Sequence, residues 1–113
     1  MTLPNSPSNF PATRVPLRST FASDPDMLEL IQEFAAEMPG KAEQVLSLWE
    51  QRDLAELKRL SHQLKGASGG YGFATLGECA GRLEASLKGD EQNIATLKSQ
   101  IDELVNLCNR VSA

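Results

Sequence analysis

The chain is predicted to be all-α, an up-down antiparallel four-helix bundle preceded by an N-terminal arm that is extended or disordered. Three observations carry that expectation. Apolar residues recur at helical spacing over most of the 113 residues. Helix start and stop signals divide that pattern into segments joined by short connections, which imply antiparallel neighbours. Sustained period-2 alternation with β-branched enrichment, the mark of a strand, is missing. A chain of this length supports one hydrophobic core, not two. The expected division is an arm over residues 1–20 and a bundle over residues 21–113.

The arm holds four of the six prolines, at positions 4, 7, 11 and 16. Closely spaced prolines fix φ and remove backbone donors, so no regular helix is expected there. Val15, Leu17 and Phe21 are nevertheless apolar enough to lie against the domain. Next, Asp24 stands as an N-cap with Pro25 at the first helical position, where its missing N–H costs nothing. Met27, Leu28, Ile31, Phe34, Ala35 and Met38 follow at helical spacing, Pro39-Gly40 interrupts, and the pattern resumes through Val45, Leu46, Leu48 and Trp49. Residues 25–51 are therefore either two helical segments or one kinked helix. Trp49 is expected to pack in the core or at the helix end. Glu29, Glu33 and Glu37 recur every fourth residue as a solvated face.

The next start is Asp53 with Glu56 three residues on, a capping-box pattern ahead of Leu57, Leu60, Leu64 and Ala67. A third helix is expected from Thr75, with Glu78 three residues later, through Leu76, Cys79, Ala80, Leu83 and Leu87. Lys88-Gly89 closes it, the lysine at the negative end of the helix dipole and the glycine just beyond. Asp90 opens the last helix, with Ile94, Leu97, Ile101, Leu104, Val105 and Cys108 as its core positions.

Composition narrows the possible functions. Hydrophobic residues make up 41% and charged residues 23%, ordinary for a globular domain, and six aromatics leave the core mainly aliphatic. No apolar run reaches the roughly 18 residues of a membrane span, and the N-terminus lacks a secretory signal pattern, so a cytoplasmic location is expected. Net charge is −4; Arg14 and Arg18 are the only charges before residue 21, which leaves −6 on the rest. An acidic body of this kind speaks against nucleic-acid binding. Cys79 and Cys108 sit at apolar helix positions and are expected to be buried thiols; two Cys and one His lack zinc-site spacing.

The only histidine lies in S-H-Q-L-K-G-A-S-G-G-Y-G-F, residues 61–73, a helical stretch crowded with glycine. With about 100° per residue and Leu57 as zero, Leu60, Leu64, Ala67 and Tyr71 fall on one arc, the expected core face. His62 then lies at about 140°, Gly66 at about 180°, with Lys58 and Gly69 flanking that direction and Lys65 to one side at about 80°. The histidine is thus expected to face solvent. A lone surface histidine is ordinarily just a solvated polar group, and Gly70 and Gly72 suit a helix end. Gly66 and Gly69 need another reason: on the solvent side each costs about 1 kcal/mol of helix stability, unless an incoming partner uses the space. Tyr71 and Phe73 are expected to anchor the helix end.

An exposed imidazole can accept a phosphoryl group on a ring nitrogen, with Lys65 at i+3 reaching over to stabilise the phosphoryl oxygens. Phosphoryl transfer depends mainly on positioning and charge neutralisation, so such a site needs little else on its own chain.

The segment L-S-H-Q-L-K-G-A-S-G-G-Y-G-F, followed by R-L-E-A-S-L-K-G-D on the next helix, resembles histidine-containing phosphotransfer (HPt) domains, whose hallmark is H-x-x-K-G, small residues and a later glycine. The likeness runs from about residue 21 to 110. It implies a four-helix bundle with an exposed phosphoacceptor histidine that exchanges a phosphoryl group with the aspartate of response-regulator receiver domains, in a relay fed by a sensor or hybrid histidine kinase. It implies His62 as phosphoacceptor, Lys65 as the cation beside the phosphoryl group, Gly66 as the small residue admitting the receiver, and Gly72 as a backbone requirement. Glu84 and Lys88 fall where relatives place polar residues near the histidine. Some relatives carry glutamine where Glu84 stands, and a solvated or salt-bridged role for it stays open. Lys58 and Gly69 complete the expected partner face. No cofactor or metal is expected on this chain; the Mg2+ of the reaction belongs to the partner receiver.

The chain is expected to be a phosphocarrier without autokinase activity, not an enzyme. Its Met start and full set of helices suggest a stand-alone protein, and one self-sufficient core suggests a monomer. A kinase dimerisation helix fits poorly, because Gln63 follows the histidine and no proline comes soon after. The alternatives are a non-phosphorylated receiver-docking module and a purely structural bundle.

Overall fold

The computed structural model describes residues 15–89 and 93–113. Four helices form the bundle: α1 (Leu28–Glu50), α2 (Leu54–Gly70), α3 (Ala74–Lys88) and α4 (Ile94–Arg110). They run up and down, with α2 packed most extensively on α3, α3 on α4 and α4 back on α1. The core is a single cluster. Helix α1 supplies Ile31, Phe34, Met38, Ala42, Val45 and Trp49, α2 supplies Leu57, Leu60 and Leu64, and the other two helices line the opposite side.

The open question over residues 25–51 has a definite answer. One helix runs through, with Pro39 in its interior. An interior proline costs about 3 kcal/mol, but Met38 and Ala42 on either side are buried, so core packing holds the segment helical. That helix starts later than its sequence signals suggest. Asp24 does not cap it; its carboxylate accepts from the Asp26 N–H at 2.9 Å in a preceding turn, and Met27 takes the cap position without a side-chain bond. Leu28 and Leu46, assigned to the core by periodicity, are exposed.

Asp53 caps α2 as expected, accepting from the Glu56 N–H at 3.2 Å. The reciprocal half of the capping box does not form, because the Glu56 carboxylate pairs with Arg59 at 2.8 Å. Thr75 lies inside α3, which begins one residue before it with Phe73 at the cap. The start assigned to Asp90 falls outside the described residues; α4 is capped by Asn93, whose side chain accepts from the Thr96 N–H at 3.0 Å. Ile94, taken for a core position, is exposed, while Leu107 is buried.

Both α1 and α2 end in the same way. Beyond α1, Arg52 has φ 55°, with its N–H bonded to the Trp49 carbonyl and that of Asp53 to the Leu48 carbonyl. Beyond α2, Gly72 has φ 85°, with its N–H on the Gly69 carbonyl and that of Phe73 on the Ser68 carbonyl. These are Schellman closures, which need a left-handed residue just after the helix.

Strand structure does occur. β1 (Leu17–Arg18) pairs in parallel with β2 (Val111–Ser112). Two residues are too few to leave an alternation in the sequence. Ser19 then donates to the Tyr71 carbonyl at 2.6 Å and accepts from the Phe21 N–H, and the Thr20 N–H donates to the Gly72 carbonyl. Residues 17–21 thereby tie the chain's C-terminal end to the α2–α3 turn.

Candidate functional site

The site is built on the α2–α3 pair, and small residues bring those helices together. Ser61 and Ser68 on α2 and Gly77 on α3 are buried. A Cβ on Gly77 would lie 3.3 Å from the Lys65 carbonyl oxygen and 3.5 Å from the Ser68 Cβ. The buried face of α2 is therefore wider than the arc read from its leucines. At about 100° per residue, Ser61 and Ser68 fall between that arc and Lys65. Periodicity in apolar residues alone missed them.

His62 projects outward, with 68% of its side chain exposed. Space above Gly66 and Gly69 is open: a Cβ at either would meet nothing within 4 Å. Lys58, Arg59, His62, Gln63, Glu84 and Lys88 line one shallow depression. Of these, Arg59 and Gln63 were not picked out from the sequence, although both neighbour His62 on the α2 surface.

Glu84 is the one buried member of this group. Its side chain is only 5% exposed, yet it meets three donors: His62 Nδ1 at 2.9 Å, Lys88 Nζ at 3.3 Å and Lys65 Nζ at 3.4 Å. Burial pushes its carboxyl up, but hydrogen bonds from Lys88, His62 and Lys65 together outweigh that and hold it below the ordinary carboxylate value. Glu84 is thus an ionised, buried, salt-bridged residue. Of the two roles left open for it, the salt-bridged one holds, and two lysines more than offset its charge.

The chemistry follows from the tautomer. An ionised carboxylate can only accept hydrogen bonds, so Nδ1 carries the proton. In the neutral ring Nε2 then holds the lone pair, the nucleophilic arrangement of an imidazole. Two ammonium groups stand within reach of the same carboxylate, and neither is buried.

The chain belongs to the Hpt domain family, whose model matches residues 29–112. Hpt domains are the histidine phosphocarriers of phosphorelays, working with response regulators and kinases. No curated protein and no solved structure matches the chain. Among the described residues, no helix is long and apolar enough to cross a membrane.

Proposed function

We propose that this protein is a phosphorelay carrier in which His62 Nε2 takes a phosphoryl group from, and returns it to, the aspartate of a response-regulator receiver domain. The observation that carries the reading is the bond from His62 Nδ1 to buried Glu84, which leaves Nε2 as the nucleophile at an open surface. In the transfer the Nε2 lone pair forms the N–P bond while the aspartyl O–P bond breaks, and the carboxylate leaves on the receiver. The ring becomes positively charged, and Glu84 stabilises it while keeping the Nδ1 proton in place. Lys65 and Lys88 offset the phosphoryl charge, a role that outward-facing ammoniums suit.

Gly66 and Gly69 leave room for the receiver, and Lys58 lies on the face it approaches. A groove with Phe34, Leu64 and Tyr71 at its floor and Glu37, Lys41 and Gln63 at its rim opens beside the site and offers that partner a mixed apolar and charged surface. The Mg2+ of the reaction is supplied by the receiver, and phosphate enters the relay from a sensor or hybrid kinase. The chain acts as a cytoplasmic monomer with no autokinase activity.

The test is to mix the protein with phosphorylated receivers from the same organism. Acid-labile, base-stable label is expected on the wild type and none on His62→Ala. Equal labelling of both proteins sinks the proposal. Tight receiver binding without transfer, from receivers that charge other carriers, indicates a docking module instead.

A further inference from the structure

On α3 the residues Gly77, Gly81, Glu84 and Lys88 follow one another at spacings of four, three and four. At about 100° per residue they share an arc roughly 60° wide. The stripe faces α2 in antiparallel order: Gly77 lies against Gly69, Gly81 against Lys65, and Glu84 against His62. Two of its members are the charged groups of the site. The other two carry no side chain, and their surroundings differ.

At Gly77 the nearest atom to an added Cβ is backbone, the Lys65 carbonyl oxygen. That glycine serves the close approach of the two helices. At Gly81 the only atoms within 4 Å of an added Cβ belong to the Lys65 side chain, Cδ at 3.1 Å and Cγ at 3.7 Å. The stem of Lys65 therefore lies flat across α3 at Gly81. From there its ammonium reaches Glu84 Oε1 at 3.4 Å.

We infer that Gly81 is a positioning residue of the site: it is the seat over which Lys65 crosses α3 to reach Glu84 and the phosphoryl position. This rests on the phosphocarrier reading above and adds a residue to it. An ordinary surface position of a helix gains from alanine, so glycine here carries a stability penalty that a seat for the lysine explains. A methyl group at 81 displaces a flexible side chain, not backbone. Gly81→Ala should leave the fold intact and move Lys65 alone.

The test is a double-mutant cycle with two independent readouts on the intact chain. Wild type, Gly81→Ala, Lys65→Ala and the double variant are compared for phosphoryl uptake from a receiver that charges the wild type. The Glu84 carboxyl carbon is also titrated by NMR in each. Gly81→Ala is expected to keep or raise Tm and yet slow uptake about tenfold, the scale of one charge-assisted contact. In the Lys65→Ala background it should change uptake no further. Because Lys65 helps to hold the Glu84 carboxyl low, both single variants should raise its titration midpoint, and the double variant no more than either.

Normal uptake and an unmoved Glu84 midpoint in a folded Gly81→Ala protein overturn the inference. So does a loss of uptake that persists undiminished without Lys65. If no receiver labels the wild type, the carrier reading fails, while a shared rise in the Glu84 midpoint still upholds the seat.

Discussion

At Glu84 three donors from two helices meet one carboxylate, and that convergence has a consequence for pH. Its carboxyl titrates below the ordinary value of 4.5 in the folded protein. A depressed carboxylate contributes stability that is fully present above the unfolded value and is lost as pH falls through the folded one. Glu84→Gln is therefore expected to melt below wild type at pH 6–7, with the gap closing as pH drops under about 4.5. Thermal melts across that range check it, and a gap independent of pH would show that Glu84 is not held ionised. Arg52 carries a second residue-scale effect. It adopts a left-handed conformation while its guanidinium stacks 3.9 Å from the Trp49 ring centroid. Arg52→Ala and Arg52→Gly both lose the stacking, so they differ only in backbone strain. The glycine variant should be more stable by about 1 kcal/mol in urea unfolding; equal stabilities would deny any strain there.

Among the elements, the α2–α3 pair decides where the chemistry sits, and the turn between them is its weak point. Gly72 combines φ 85° with crowding: an added Cβ would lie 2.5 Å from Ser19 Oγ and 2.9 Å from a Phe21 ring carbon. Phe73, just after it, is buried and stacks 5.3 Å from Phe34, which also meets Tyr71 at 5.1 Å. Gly72→Ala is expected to cost about 2–4 kcal/mol, adding left-handed strain to overpacking. Denaturant unfolding measures this, and a loss under 1 kcal/mol would mean that the 17–21 segment simply moves aside. Most of this helix was legible in the sequence. Leu57, Leu60 and Leu64 gave the buried face, and the outward direction of His62 followed from counting residues. What the count missed was the second buried stripe, Ser61 and Ser68 against Gly77, because small residues that permit close helix contact look polar or neutral in a hydrophobic pattern. Glu84 was placed near the site by the family resemblance, but its burial was not legible. Lys88, four residues on, is visible along α3, but nothing there reveals that Lys65 and an imidazole from α2 meet the same carboxylate.

Across the whole molecule, residues 15–18 are joined to the C-terminal residues. Besides the β1–β2 pairing, Arg110 Nε donates to the Val15 carbonyl at 2.9 Å, and Arg18 Nη1 donates to an Ala113 main-chain oxygen at 3.3 Å. Removing residues 1–19 should lower Tm by roughly 5–10 °C, the effect of losing one or two kcal/mol in a domain this size. The His62 cluster lies on other residues, so phosphohistidine formation should persist below the new Tm; an unchanged Tm would show that the clasp adds no stability. The two thiols report on the same core. Cys79 and Cys108 are buried and free, and burial pushes each up to about 12. An acid raised on folding leaves the native state holding its proton while the unfolded chain ionises. Stability should therefore fall as pH rises from the ordinary thiol value of 9.0 toward 12. Replacing both by alanine should flatten that alkaline slope in chemical unfolding, and an unaltered slope would place its origin elsewhere.

The sequence by itself determined the helical class, the exposed histidine and the lysine beside it, since each follows from 3.6-residue periodicity and local capping chemistry. It also led to the glycine-cleared surface around His62. Only the tertiary structure decided that α1 runs unbroken through Pro39, that the segment after residue 16 clasps the C-terminal end, and that Glu84 is a buried anchor. Those outcomes depend on which surfaces meet across helices, where packing overrides propensity and where a charge's state is set by neighbours distant in the chain.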